Sequence, residues 1–513
     1  MKIVLYPRAP KSSRTLLVWI GAFQRQPPAP NLTWFLQGKE VKPAIVRAIQ
    51  SARTDGSAGT DDMVGPDKSI ARAFTGLYEF SQLASGQSLD PDEPYTVTVK
   101  TDGHEVSLET RTLPERVTND FAGSFNVLLV SCFHRDTDPN GYAGLLINDI
   151  RQRHRPDLSI LLGDQVYLDL PTLMNFEDNL PWLANKFEED YLNNWQGPDG
   201  YSRVLGSAPT ACIPDDHEYW NNYPHRSYHL QNTYTSGGRR RWEKAARRMY
   251  EAFQLSTPPA DMGKALRFDV APLSFFLADM RTYRDYDLKR VLGVKDPKHP
   301  NMPDALQELR DWVQHVIDNK LFAVFGSGQS LFANAPQSLW GSLKQKVKGT
   351  VGDHELYEYD DFDAIVKELA RLSDAGRPLV CVTGDVHYGR LIAAKDLRKS
   401  WRISMYEVIS SPASLVRDIT SRAGAPTASD PWPGHSEAPD PDEFFAQKAL
   451  GQRFVCESKS IIHRQKGNHI VLLSFRDVGG TLELKVKYWP IYPNGTYSNP
   501  VDLKDAIYLS TLG

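Results

Sequence analysis

Leu158-Ser159-Ile160-Leu161-Leu162-Gly163-Asp164-Gln165-Val166-Tyr167 is the stretch that decides how this chain folds. Its first five residues lack the alternation of a half-wetted strand, so they read as a strand buried on both faces, the habit of parallel sheets. The strand stops at Gly163-Asp164 on polar residues. Upstream, Phe125 to Val130 repeats the pattern and runs into Ser131-Cys132-Phe133-His134. Between the two, Tyr142 to His154 reads as a helix that can place Leu145, Ile147 or Leu146, and Ile150 on one face. Strand, helix and strand make a βαβ unit. Further buried strands are expected at Ala211 to Ile213, Ser274 to Ala278, Leu379 to Thr383 and Tyr406 to Ile409. Amphipathic helices are expected at Trp242 to Phe253, Asp304 to Asp318 and Phe362 to Leu372. His469 to Phe475 and Leu482 to Trp489, joined through Gly479-Gly480, read as a hairpin closing a sheet.

The strands end in chemistry. Their C-terminal residues are Ser131-Cys132, Gly163-Asp164-Gln165-Val166-Tyr167, Asp215-Asp216-His217-Glu218, Asp279-Met280-Arg281 and Gly384-Asp385-Val386-His387. In an open α/β sheet these ends converge on one crevice, where ligands bind. Carboxylates gathered there repel one another and raise each other's pKa unless cations neutralise them. A thiolate at Cys132, imidazole at His387, phenolate at Tyr167 and carboxylate at Asp164 suit a polarising transition metal such as iron. If Asp164 bridges, Asp216 and Asp385 complete an oxygen-rich shell that suits Ca2+, Mg2+ or Mn2+. Two such cations can activate a water and clamp the oxygens of an in-line displacement at phosphorus.

Length and charge bound the alternatives. The 513 residues predict more than one folding unit. Before about residue 118 the apolar runs are short and strand-like, as at Thr15 to Phe23, Thr33 to Gln37 and Tyr95 to Thr101. This predicts an N-terminal β-sandwich over 1–118 and a catalytic domain over 119–513, with the boundary near Thr112-Leu113-Pro114. The 59 basic and 63 acidic side chains leave a net charge of -4, which offers no field for nucleic acid. No run of eighteen or more apolar residues exists, so a membrane span is not expected. Cys132, Cys212, Cys381 and Cys456 are too few for a disulfide framework and form no CxxC pair, which suggests a reducing, cytoplasmic setting. Thr15 to Phe23 lacks a small-residue cleavage site and is read as a strand rather than a signal peptide. Gly424 to Asp442, rich in Pro, Asp, Ala and Ser, reads as a surface excursion.

The ordered motifs resemble the metallophosphoesterase superfamily, whose usual forms are GDxxD, GNHE and GHxH. Tyr167 in place of the second aspartate is similar to the purple acid phosphatases, where that tyrosine binds ferric iron. Cys132 in place of the opening DxH, Asp216 for Asn and Asp385 for His resemble more narrowly the PhoD-like alkaline phosphatases and phosphodiesterases. So does the run Asp279-Met280-Arg281-Thr282-Tyr283-Arg284, and so does a β-sandwich ahead of the catalytic domain. Where that family tends to carry Trp-Asp-Gly-Tyr, this chain has Tyr359-Asp360-Asp361-Phe362. The resemblance implies an α/β fold of the αββα type, two packed sheets flanked by helices. It implies Fe3+ near Cys132, Asp164, Tyr167 and His387, and Ca2+ held by Asp164, Asp216 and Asp385. It further implies that His217 protonates the leaving oxygen and that Arg281 binds phosphoryl oxygens, with small phosphate mono- or diesters as substrates.

Several residues keep two readings. Arg281 could instead pair with Asp285 or Asp287, and Asp215 either orients its loop or supports His217. Trp220 and Tyr223 either line a pocket for an organic leaving group or cover the sheet. His134, His225, His229 and His354 have no supporting pattern and read as exposed or capping. Rival functions are a phospholipase or nucleotide phosphodiesterase on the same scaffold, and a metal-holding module without catalysis.

Overall fold

A computed structural model describes residues 2–24, 31–50, 72–101, 103–118, 123–171, 176–197, 200–293, 304–332, 354, 356–396, 398, 402–414, 443–444, 454–456, 461–465, 467–492, 500–503 and 506–510. Gly424 to Asp442 lies outside them.

The doubly buried strands form the centre of a two-sheet sandwich. In the first sheet Phe125–Val130, Leu158–Leu162 and Thr210–Ile213 run parallel, in that order, with the hairpin His469–Val478 and Thr481–Pro490 antiparallel on the outside of Phe125–Val130. In the second, Leu273–Leu277, Phe322–Ser327, Leu379–Thr383 and Arg402–Ile409 run parallel, flanked by the antiparallel Leu266–Val270 and Gly389–Asp396. Successive side chains point to opposite faces, and the packing follows. Val127, Leu129, Ile160 and Leu162 meet Phe275, Leu277, Val380 and Val382 between the sheets. Leu128, Val130 and Leu161 turn outward onto helices that include Tyr142–Arg153 and Ser236–Phe253. Phe276, Phe325 and Cys381 turn outward onto Ala305–Asp318 and Phe362–Asp374. Apolar residues on both faces of these strands are therefore required, and the αββα layering follows from them. Within Tyr142–Arg153 the burial falls on Leu146, Ile147 and Ile150, while Leu145, expected among the apolar positions, is 38% exposed.

The first 111 residues build a sandwich of their own, with a difference from the expected split at 118. One of its layers is the four-stranded sheet of Lys39–Val41, Thr33–Leu36, Pro94–Thr101 and His104–Arg111. The other, Lys2–Arg8, Leu16–Gln24, Arg72–Phe80 and Ala44–Gln50, is not a separate sheet. It continues the first catalytic sheet, because Arg8 pairs in parallel register with Thr210. Leu16, Val18 and Ile20 face the small sheet, whereas Leu17 and Trp19 face the catalytic helices. Trp19 Nε1 donates to the Ala252 carbonyl at 2.9 Å, and the Arg8 guanidinium donates to the Cys212 sulfur at 3.2 Å. The boundary in sequence is thus bridged in space by hydrogen bonds and a shared core.

Candidate metal centre

Four of the expected ligands sit at strand ends in an unusual backbone state. Cys132, Asp164, Asp385 and His387 have φ of 52°, 56°, 66° and 58°. Left-handed backbone is uncommon outside glycine and costs about 1–2 kcal/mol at a non-glycine residue, so the surrounding packing must impose it. The loops are stitched together to do so: Cys132 N donates to the Gly163 carbonyl at 3.2 Å, Phe133 N to that of Asp164 at 3.0 Å, and Gly384 N to that of Gly328 at 2.9 Å. A Cβ on Gly384 would lie 2.3 Å from the Leu162 carbonyl oxygen and 2.6 Å from Ser131 Oγ. Gly384→Ala should therefore push apart the ends of the two sheets and lower stability by about 1–3 kcal/mol; an unchanged urea midpoint would refute this close approach.

The turns bring the donors together. Among the described residues, three groups have ligand atoms within 4.8 Å of one another: Cys132, Asp164 and His387; Asp164, Asp216 and His217; and Asp164, Asp215, Asp216 and Asp385. Asp164 belongs to all three. Cys132 Sγ lies 3.3 Å from Asp164 Oδ2 and accepts from Ser411 Oγ at 3.1 Å, while Ser411 Oγ accepts from His387 N at 3.0 Å. Burial, reinforced by Asp164 and Asp385, pushes the Cys132 thiol well up. Burial pushes Asp164 up too, with Asp216, Asp215 and Glu218 adding to it against the pull of His217. Tyr167 is buried and likewise raised, and its hydroxyl has no hydrogen-bond partner among the described residues. A buried phenol oxygen left without a partner, beside a thiol and clustered carboxylates, is a donor set that cations would complete. The residues present fit a metal pair.

His217 sits against a buried carboxylate. Its Nδ1 is 2.7 Å from Asp169 Oδ1, and its ring centroid is 4.3 Å from that of Tyr167. Burial opposes the imidazolium, but Asp169, then Asp216 and Asp164, outweigh it and raise the pKa well above the ordinary value. Asp169 is itself anchored by Asn221 N, which donates to Oδ2 at 2.9 Å. Sequence reasoning passed over Asp169, although it stands five residues after Asp164 on the same turn.

Glu218 was passed over as well. Its fully buried carboxylate accepts from Asp164 N at 3.0 Å, Gln165 N at 2.6 Å, Asp215 N at 2.8 Å and Gln254 Nε2 at 3.3 Å. It ties the turn carrying Asp164 to the turn carrying Asp216 and His217. Burial pushes its pKa up to about 7 against these donors. Stranding three buried backbone N–H groups costs about 1–3 kcal/mol each, so Glu218→Leu should lower the urea midpoint far more than Glu218→Gln. Equal midpoints would remove Glu218 from this role.

Arg281 departs from expectation. It is 1% exposed, donates through Nε to Asp215 and through Nη1 to the Tyr223 carbonyl at 3.0 Å. A buried guanidinium engaged by a carboxylate and a carbonyl braces the loop, and the partner seen is Asp215 rather than Asp285 or Asp287. Asp215 in turn is seen to orient its loop. His134, expected to be exposed or capping, packs its ring edge on Tyr167 at 5.5 Å. Cys132, Cys212 and Cys381 are free thiols.

The family description "PhoD-like phosphatase" matches residues 125–430, more than half of the chain. The chain belongs to the PhoD-like phosphatase family. It is therefore a metal-dependent phosphatase by family. The solved structure titled "Structure of PhoD" is similar in fold at 13% identity, with a TM-score of 0.60, covering 99% of this chain and 92% of that one. A second, "GAP50 the anchor in the inner membrane complex of Plasmodium", aligns at 9% identity with a TM-score of 0.36, over 76% of this chain and 90% of that one. No curated protein matches. No helix among the described residues is long and apolar enough to cross a membrane.

Proposed function

We propose that the chain hydrolyses small phosphate mono- or diesters at a two-metal centre, with His217 as the general acid. The observation that carries this reading is the sharing of Asp164 by three ligand groups beside the Asp169–His217 pair. Cys132, Asp164, Tyr167 and His387 would hold Fe3+; Asp164, Asp216 and Asp385 would hold Ca2+, or Mn2+ or Mg2+. When bound, the two cations supply Lewis acidity to a water and to the phosphoryl oxygens. Asp169 accepts from Nδ1–H of His217, which fixes the tautomer and turns Nε2 toward delivering a proton to the departing oxygen. The twists at Cys132, Asp164, Asp385 and His387 keep these donors convergent before substrate arrives.

Elemental analysis of purified protein, with turnover of paired aryl phosphate mono- and diesters, tests the reading. Iron plus a divalent ion, with turnover, is expected. No metal, and no turnover after adding Ca2+ or Mn2+, would end it. A visible charge-transfer band that disappears in Tyr167→Phe would place the phenolate on iron; a band unaffected by that change would remove Tyr167 from the ligand set.

A further inference from the structure

A cleft of about 390 Å³ opens beside the centre, between the loop after Thr210–Ile213, the loop after Leu273–Leu277 and the start of the helix Ser236–Phe253. Its walls carry five arginines, Arg239, Arg240, Arg247, Arg284 and Arg290, against two carboxylates, Glu243 and Asp285. Arg247 pairs with Glu243, Arg290 pairs with Asp285, and the buried Arg284 donates to the Met280 carbonyl and to Gln329, so the positive excess of the cleft rests on Arg239 and Arg240, on a chain whose net charge is -4.

The cations are held in place. Arg239 lies over the Tyr286 ring, 4.7 Å from its centroid, and donates to the Thr233 carbonyl at 2.7 Å. Arg247 lies 5.0 Å over Tyr283 and donates to Glu243 at 2.6 Å and to the Thr282 carbonyl at 2.9 Å. Arg240 is exposed at the rim. Guanidinium planes set by ring faces lose little freedom on binding, and their forked donors match phosphate oxygens.

The cleft and the metal-ligand candidates share a wall. Trp220 and Tyr223, which line it, belong to the loop that carries Asp216 and His217; Asn222 N donates to Asp216 Oδ2 at 2.7 Å. Arg281 joins that loop to the one carrying Tyr283 and Arg284 through Asp215 and the Tyr223 carbonyl.

We propose that the cleft is a second anion subsite, which takes a second phosphoryl group carried on the leaving portion of the substrate. The preferred substrates are then organic bisphosphates rather than simple monoesters. This deepens the phosphatase reading and rests on it for the word substrate, but anion binding in the cleft is measurable without turnover.

The test is calorimetric titration of the full chain with hexanediol bisphosphate, with hexyl phosphate as the single-anion counterpart. The bisphosphate should bind tighter by on the order of ten-fold or more, because the second contact is intramolecular, with an advantage that shrinks as salt rises. Charge reversal at Arg239→Glu with Arg240→Glu should abolish the advantage while hexyl phosphate binding and aryl phosphate turnover stay unchanged. Should that pair fail to fold, Arg240→Ala, at an exposed position, should reduce the advantage measurably. Propanediol and decanediol bisphosphates report the span. Equal affinity for mono- and bisphosphates at every spacer, or an advantage that survives both substitutions, overturns the proposal. Arginine-dependent bisphosphate binding in a protein that turns over no ester would instead keep the cleft and remove the phosphatase reading.

Discussion

Asp164→Asn should abolish phosphatase activity, by on the order of a thousand-fold or more, and should lower the content of both metals together. The reason is position. Asp164 is the member common to all three groups of potential ligands, so loss of one carboxylate oxygen weakens two sites at once, whereas Asp216→Asn or His387→Ala should deplete chiefly one metal. Asn keeps the size of the side chain and tolerates left-handed backbone, so the φ of 56° is retained without added strain. Folding should hold: the substitution also relieves a buried carboxyl that Asp216, Asp215 and Glu218 crowd. Paired elemental analysis and kcat measurement check this. A variant that keeps both metals in full would show that Asp164 is not the bridge.

His217→Asn should lower kcat by about a hundred- to ten-thousand-fold on alkyl phosphates, whose leaving oxygen needs a proton. On nitrophenyl phosphate, whose leaving group departs as the anion, the loss should be much smaller. That contrast separates an acid from a residue that merely packs on Tyr167. The pH profile carries the same information. The folded protein raises the His217 pKa, so the protonated, active form persists to higher pH than a free imidazole would allow, and kcat falls as pH rises through that raised value. Asp169→Asn removes the first of the charges that overcome burial, so the alkaline limb should move toward lower pH. An alkaline limb that stays in place in Asp169→Asn, or equal losses on both substrates in His217→Asn, would take the proton-donor role away from His217.

Much of this architecture is legible because doubly buried strands leave a plain mark. Val127 and Leu128 belong to different cores, as do Val380 and Cys381, and each neighbour must be apolar for its own reason. The bounds of Phe125–Val130, Leu158–Leu162 and Leu379–Thr383 follow directly. The hairpin turn at Gly479-Gly480 is equally plain, since both residues take positive φ, at 62° and 90°. Convergence of Cys132, Asp164, Asp216, Asp385 and His387 follows from their place after the strands, and the fold brings their ligand atoms together.

What sequence could not give depends on partners far along the chain. The 17-residue helix Leu180–Gln196 carries Asn, Asp and Glu through its length, and its buried positions include Asn185, Glu188 and Asn194, which blur any apolar face. Lys2–Arg8 is short, with Pro7 and two cations, and becomes a strand by pairing with Leu16–Gln24. Arg281 could be assigned only once Asp215, 66 residues away, was seen to meet it. Glu218 and Asp169 look like ordinary loop acids until the backbone and imidazole donors around them are in view.

The join between Arg8 and Thr210 gives the N-terminal residues a protective duty. Thr210–Ile213, the strand that delivers Asp216 and His217, is paired on one flank by Leu158–Leu162 and on the other by the sheet that begins at Lys2–Arg8. A chain shortened to start after residue 118 would bare that second flank, and with it the apolar undersides of the helices that Trp19 covers. Unpaired strand edges recruit other copies of themselves. The N-terminal sandwich thus covers an edge that would otherwise invite self-association, within the same sheet that positions Asp216 and His217.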